Sequence, residues 1–162
     1  FAAPPGRRSG PLDEATVERI ARFLQLPRQA IINHQHCDNG PGWKAVMLAS
    51  AAEVLALRPL LGSESDLEVG VVGAHGKGAQ PAFEVRAFFP AHGGGLAEDP
   101  VTGSLNAALA QWLIGDGLAP PRYVAAQGAA LGRAGRVHVA QDGDTIWIGG
   151  DCVAVVHGEV LL

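Results

Sequence analysis

Ser104-Leu-Asn-Ala-Ala-Leu-Ala-Gln-Trp-Leu-Ile114 decides the fold, because a helix built from it has almost no polar side to turn toward water. Leu105, Ala108, Leu109, Trp112 and Leu113 fall on one stripe at helical spacing, while Ala107, Ala110 and Ile114 fill the other sides. Only Asn106 and Gln111 interrupt. A helix apolar nearly all round must be enclosed on most sides. Thr102 or Ser104 can cap its start, and Gly115 and Gly117 end it. Four strand-like runs follow, Tyr123–Ala126, Arg136–Ala140, Thr145–Ile148 and Val153–Val156, with Asp142-Gly143 marking a tight hairpin between the second and third. The expected architecture is α+β, a mostly antiparallel sheet curled around one central buried helix.

Toward the N-terminus, Phe1–Leu12 is rich in Pro, Gly and Arg and reads as a strand stub plus linker, leaving 13–162 as a single domain. Asp13 caps a helix expected to run to Leu26, where Pro27 stops it, with Val17, Ile20, Ala21 and Leu24 on one face. Ala30–Gln35 and Trp43–Ala49 read as strands joined by the turn Asp38-Asn-Gly-Pro-Gly42, and Ala51–Leu57 as a short helix before Pro59. Glu68–Val72 and Phe83–Phe89 are the next strands. In the latter, Phe83, Val85, Ala87 and Phe89 share a face, with Glu84 and Arg86 opposite. No internal repeat is visible.

A chain of 162 residues is one domain by length, and 48% hydrophobic against 17% charged residues argues against intrinsic disorder. A net charge of −4 argues against nucleic acid or an acidic membrane surface as partner. No apolar run reaches the ~20 residues that cross a bilayer. No basic stretch followed by an apolar one opens the chain, so no secretory leader is expected. Two cysteines, Cys37 and Cys152, are too few for a disulfide framework and are expected to be free thiols of a cytoplasmic protein.

Just before the buried helix, Leu96-Ala-Glu-Asp-Pro-Val-Thr-Gly-Ser104 brings two carboxylates to a helix start. Pro100 pushes Asp99 out of the α region. Gly103 leaves its amide uncovered by a side chain, and the first turn of a helix offers unpaired N–H groups and the positive end of the helix dipole. Such a start attracts carboxylates and phosphates. An acid, Asp99, beside an anion cradle at Gly103 and Ser104 suggests a small-molecule site, although a carboxylate that only caps the helix start is the plainer reading; the resemblance below is what makes Asp99 the candidate catalytic residue. Glu98 reads as structural. Gln127, at a strand end before Gly128, can both donate and accept hydrogen bonds.

The same residues carry a family resemblance. Glu98-Asp-Pro-Val-Thr-Gly-Ser104 resembles the E-D-P-x-T-G-S signature of the PhzF-like isomerases of phenazine-biosynthesis type, relatives of diaminopimelate epimerase. Arg86 with Phe88-Phe89-Pro90, then Gln127-Gly128 with Gly132-Arg133, then Ile148-Gly149-Gly150 followed by Val153–Gly158, resemble further family stretches in the same order. The resemblance implies the second half of a two-domain enzyme that moves protons within a small carboxylate, of dihydro-hydroxyanthranilate kind, without metal or organic cofactor. It implies that Asp99 hydrogen-bonds the substrate near its reacting carbons, that Gly103 and Ser104 hold its carboxylate, and that Gln127 touches it. The family's general base is a glutamate of the first half, so this chain alone is expected to be inactive. The face that meets that half should expose apolar surface, so the expected partner is the N-terminal half or a second copy, as a dimer. A non-catalytic carboxylate-binding module or a structural remnant is the alternative.

Other motifs carry less. His92-Gly-Gly-Gly95 imitates an oxyanion loop, but no G-x-S-x-G elbow accompanies it, and neither Gly62-Ser63 nor Gly103-Ser104 has the right flanks. His34-Gln-His-Cys37 lacks the further ligands a metal needs and reads as a strand. Gly73-Ala-His-Gly-Lys-Gly78 lacks phosphate-loop spacing.

Overall fold

The structure, a computed structural model, describes residues 1–62 and 66–161. Ser63, and Leu162 at the end of the expected domain, lie outside them. Eight strands form one sheet: β1 (Asn33–Cys37), β2 (Trp43–Leu48), β3 (Val69–Ala74), β4 (Phe83–Pro90), β5 (Leu96–Asp99), β6 (Arg122–Gln127), β7 (Gly135–Asp142) and β8 (Thr145–Gly149). Among the described residues three α-helices accompany them: α1 (Glu14–Leu24), α2 (Ala51–Ala56) and α3 (Gly103–Gly115). The spatial order is β1-β2-β3-β4-β6-β7-β8, with β5 added to β4. Most pairs are antiparallel, while β2–β3 and β4–β6 are parallel, each bridged by a segment that holds a helix.

The charge-free run forms α3, and the sheet wraps it. Leu105, Leu109 and Leu113 are each at most 1% exposed and share one core with Trp43, Ala45, Val72, Phe83, Val85, Val137, Val139, Ile146 and Ile148. Gly70 makes this close approach possible, because a Cβ there would stand 2.4 Å from a Leu105 methyl. A second core lies on the opposite face of the sheet. There α1 inserts Val17, Ile20, Phe23 and Leu24 against Val46, Leu48, Val69, Val71 and Phe88. Phe23 meets Phe88 edge-on, with ring centroids 5.3 Å apart.

Residues 1–12 run along both outer edges of the sheet. Ile148 N–H donates to Phe1 O and Ala3 N–H to Ile146 O on β8, while Arg7 N–H donates to Asp38 O and His36 N–H to Gly10 O beside β1. Gln111 of α3 donates to Pro4 O in between. This crossing displaces one expectation. Val153–Val156 was to be a strand, yet no strand forms there, and Val153, Val155 and Val156 are 85–90% exposed. The outer edge of β8, where a returning strand would pair, is occupied by Phe1–Ala3.

Several boundaries also move. The first helix ends at Leu24, two residues early, because Gln25 adopts the left-handed conformation and the Leu26 N–H bonds back to Ala21 O, closing the helix before Pro27 is reached. The first strand starts at Asn33, since Arg28–Ala30 makes a 3-10 turn. Leu96–Asp99, unassigned from the sequence, is a strand. Gly93, Gly94 and Gly95 all take positive φ, turning the chain so that β5 lies back on β4. Finally, Glu84 and Arg86 do face away from α3, and both are buried, at 3% and 5% exposure.

Candidate active site

β4 is the strand that assembles the site. Its first half pairs with β6, setting Val85 opposite Gln127, and its second half pairs with β5, setting Ala87 opposite Asp99. The ends of β5 and β6 therefore converge beside the start of α3. Pro100 and Val101 then carry the chain from Asp99 to Thr102, the helix N-cap.

Thr102 does not cap with its side chain. Its hydroxyl donates to Asp99 Oδ2 at 2.7 Å and accepts from Gln127 Nε2 at 2.9 Å. This bond fixes Asp99, which is half-buried. Gln127 is 1% exposed, and its second amide proton goes to Asp99 O at 2.9 Å. Its carbonyl accepts from Thr102 N–H at 3.1 Å and Asn106 Nδ2 at 2.8 Å. An amide has two protons and two acceptor lone pairs. All four are spent within the protein, so Gln127 braces the helix start from behind and presents no free group to a ligand.

With the Thr102 side chain turned to Asp99, no side chain among the described residues caps the first turn of α3. A positive helix end thus stands beside a carboxylate. Asp99, Thr102 and Ser104 line one open hollow of about 520 Å³ together with Pro41, Trp43, Glu68, Phe89 and Pro90. Trp43 Nε1 donates to Ser104 Oγ at 3.0 Å, and Asn39 Nδ2 donates to Ser104 O at 2.8 Å. Gly103 opens instead onto a neighbouring apolar hollow of about 480 Å³ beside Phe1, Val101 and Ile148, where a Cβ would lie 3.4 Å from the Phe1 ring. The Gly103 and Ser104 residues are thus adjacent in the turn but border different depressions.

Sequence reading passed over Glu68, Trp43, Phe89 and Pro90 as members of this wall. The motif Phe88-Phe89-Pro90 was in view, but alternation put Phe89 with Phe83, Val85 and Ala87, and only the structure shows it 37% exposed at the strand end. Glu68 and Trp43 are brought in only by long-range pairing of β2 and β3. Glu68 sits 3.6 Å from Lys44. Glu98 has a different task. It forms a two-pronged ion pair with Arg86, at 2.8 Å and 2.7 Å, and both side chains are nearly inaccessible. Arg86 also donates to Val54 O and Leu57 O, holding the end of α2.

The remaining candidate groups stay apart. His34 Nδ1 accepts from Leu12 N–H at 3.1 Å, and burial pushes the His36 pKa down. Among the described residues no group of three or more His, Cys, Asp or Glu is placed to hold a metal ion. Cys37 is buried, which pushes its thiol up to about 12, whereas Cys152 is exposed.

The sequence matches the family model described as phenazine biosynthesis-like protein (PhzC-PhzF) over residues 3–158. The chain belongs to the PhzC-PhzF family. No curated protein matches it significantly. Several solved structures share this fold, among them the following three. A phenazine biosynthesis protein of the PhzF family from Bacillus anthracis is 18% identical with a TM-score of 0.70, covering 99% of this chain and 60% of its own. A PhzF-family protein from Enterococcus faecalis is 24% identical with a TM-score of 0.66, covering 100% and 56%. A protein described as a predicted epimerase, from Pseudomonas aeruginosa, is 21% identical with a TM-score of 0.67, covering 92% and 53%. This PhzF-type chain therefore spans between about half and three-fifths of the length of these relatives. None of the helices among its described residues is long and apolar enough to cross a membrane.

Proposed function

We propose that this chain forms one wall of a cofactor-independent isomerase that moves a proton within a small carboxylate of dihydro-hydroxyanthranilate kind. The substrate carboxylate accepts hydrogen bonds from the Ser104 amide and hydroxyl, with the Gly103 amide adding to the field of the helix start. Asp99 hydrogen-bonds polar groups beside the reacting carbons. Gln127 and Thr102 act as positioning residues, because they hold Asp99 and the first turn of α3 in one network. The general base, which must come within ~3 Å of the proton it takes, is supplied by the N-terminal half or by a second copy of the chain, and the working enzyme is a cytoplasmic dimer. Neither a metal nor an organic cofactor is required.

The observation that carries this reading is the Asp99 carboxylate held at 2.7 Å by Thr102 beside a helix start that no side chain among the described residues caps. The test titrates the chain with anthranilate, a stable ring carboxylate, and follows backbone amide NMR shifts. Shifts centred on Gly103 and Ser104, and their loss in Ser104→Pro, are expected. Undisturbed amides at 103 and 104 would remove the anion cradle. The isolated chain is also expected to turn over no dihydro-hydroxyanthranilate-type substrate, and turnover would overturn the assignment of the base to another chain segment.

One observation favours the alternative of a non-catalytic carboxylate-binding module. The carboxylate of this wall besides Asp99, Glu68, is engaged with Lys44 rather than free to act as a base. Recovery of turnover on adding a glutamate-bearing first half separates the two readings, since a binding module stays inactive.

A further inference from the structure

Ser104 bears a hydroxyl whose direction is controlled from outside its own helix. The indole nitrogen of Trp43 can only donate. At 3.0 Å from Ser104 Oγ it therefore makes that oxygen an acceptor. Ser104 is the second residue of α3, so it has no helical carbonyl behind it to take its proton as a mid-helix serine can, and no acceptor for that proton occurs among the described residues. The hydroxyl has one proton left to give, and both it and Trp43 line the hollow that holds Asp99.

The control is built rather than incidental. Trp43 opens β2 and is 4% exposed, its ring packed in the core around α3. The turn before it is tied by Asp38 Oδ1, which accepts from Gly40 N–H at 2.8 Å and Gly42 N–H at 3.0 Å. From the same turn, Asn39 reaches the Ser104 carbonyl at 2.8 Å. One turn thus grips both the main chain and the side chain of Ser104.

We propose that Trp43 is a specificity-determining residue. By taking one of the two lone pairs of the Ser104 oxygen it turns the hydroxyl proton toward the hollow and polarises it, so the wall gains more from a charged acceptor, a carboxylate, than from the matching carboxamide. This rests on the reading that an anion is held at Ser104, and adds a reason why the charged group is preferred there.

The test measures benzoate and benzamide binding to the full chain by amide NMR shifts, in wild type, Trp43→Phe, Ser104→Ala and the double variant. Wild type is expected to prefer benzoate. Trp43→Phe keeps a ring in the core but removes the N–H, and is expected to lower the benzoate-to-benzamide ratio about tenfold, the scale of one charge-assisted hydrogen bond. In the Ser104→Ala background the same change is expected to do nothing further, a result general loosening of the fold would not produce. If Trp43→Phe leaves the ratio unchanged while Ser104→Ala collapses it, the proposal fails and the anion site stands. If benzoate moves no resonance near Ser104 in wild type, the anion site falls and this proposal with it. A readout without mutation guards against a variant that fails to fold. The Trp43 indole N–H is expected to exchange slowly and to shift on benzoate binding, and exchange at the rate of free indole overturns the proposal.

Discussion

At Gln127 the two amide protons go to Asp99 O and Thr102 Oγ1 and the two lone pairs to Thr102 N–H and Asn106, so any substitution leaves buried partners unpaired. Gln127→Glu keeps the shape but has only acceptors when ionised. It sets a carboxylate against the Asp99 carbonyl. We expect a loss of about 2–4 kcal/mol in urea unfolding, since each orphaned buried group costs about 1–3 kcal/mol, and an expected disturbance of the Asp99 and Ser104 resonances. A loss below 0.5 kcal/mol would show that the network is not closed. Ligand contact at Gln127 was what the family resemblance implied, since a strand-end glutamine by itself shows only that it can donate and accept. What the sequence could not show is that Asn106, one of two polar interruptions in an apolar helix, comes to meet it from 21 residues upstream. The cysteines were legible. Burial holds Cys37 protonated, with its thiol pushed up to about 12, while Cys152 is open to solvent. Titration of native protein with a thiol reagent at pH 8 is expected to count one fast thiol, and two in urea. Two fast thiols would contradict the enclosed position of Cys37.

Among the elements, α3 was readable in full because charge-free composition and flanking glycines agree, and β7–β8 because Asp142-Gly143 fits a tight turn. The strand β5 was not. Leu96–Asp99 has two acidic residues in four, and its strand character comes from pairing with β4 and from the Glu98–Arg86 bond, not from its own pattern. The alternation along β4 was right while its meaning was missed, since α2 covers the face carrying Glu84 and Arg86. Arg86 is compensated by Glu98. Glu84 is compensated only in part: His75 Nε2 lies 3.2 Å from Oε2, Arg86 and Arg136 contribute at longer range, and Oε1 has no partner among the described residues. Burial therefore raises the Glu84 pKa above 4.5. A raised value in the folded state means the stabilising contribution is complete below the unfolded value and is lost as pH rises through the folded one. Glu84→Gln removes the charge at every pH. It is expected to melt higher than wild type at pH 7–8, by about 1 kcal/mol or about 3 °C, with the difference shrinking to nothing below about pH 4.5. A difference independent of pH would show that shape, not charge, decides this position.

For the whole molecule, the enclosed helix required a curled sheet, and that much followed from composition alone. What no local pattern shows is how the curl is tied off. The segment Phe1–Gly10, rich in Pro and Gly, bonds to β8 at one end and beside β1 at the other, so it takes the edge that Val153–Val156 would otherwise have used. The outcome is a segment of strand-forming residues with no strand partner among the described residues: Val153, Val155, Val156, Val160 and Leu161 are 81–100% exposed. Such a segment contributes little to the stability of the folded unit and offers apolar, β-branched surface to another sheet edge. Deleting 153–162 is expected to change the melting temperature by no more than about 2 °C, because a segment without buried area holds little unfolding enthalpy. The same deletion is expected to reduce self-association measured by sedimentation at high concentration. A fall of more than about 5 °C would mean that the tail packs on this sheet in solution, and unchanged association would place the sticky surface elsewhere, on the apolar hollow beside Phe1 and Gly103.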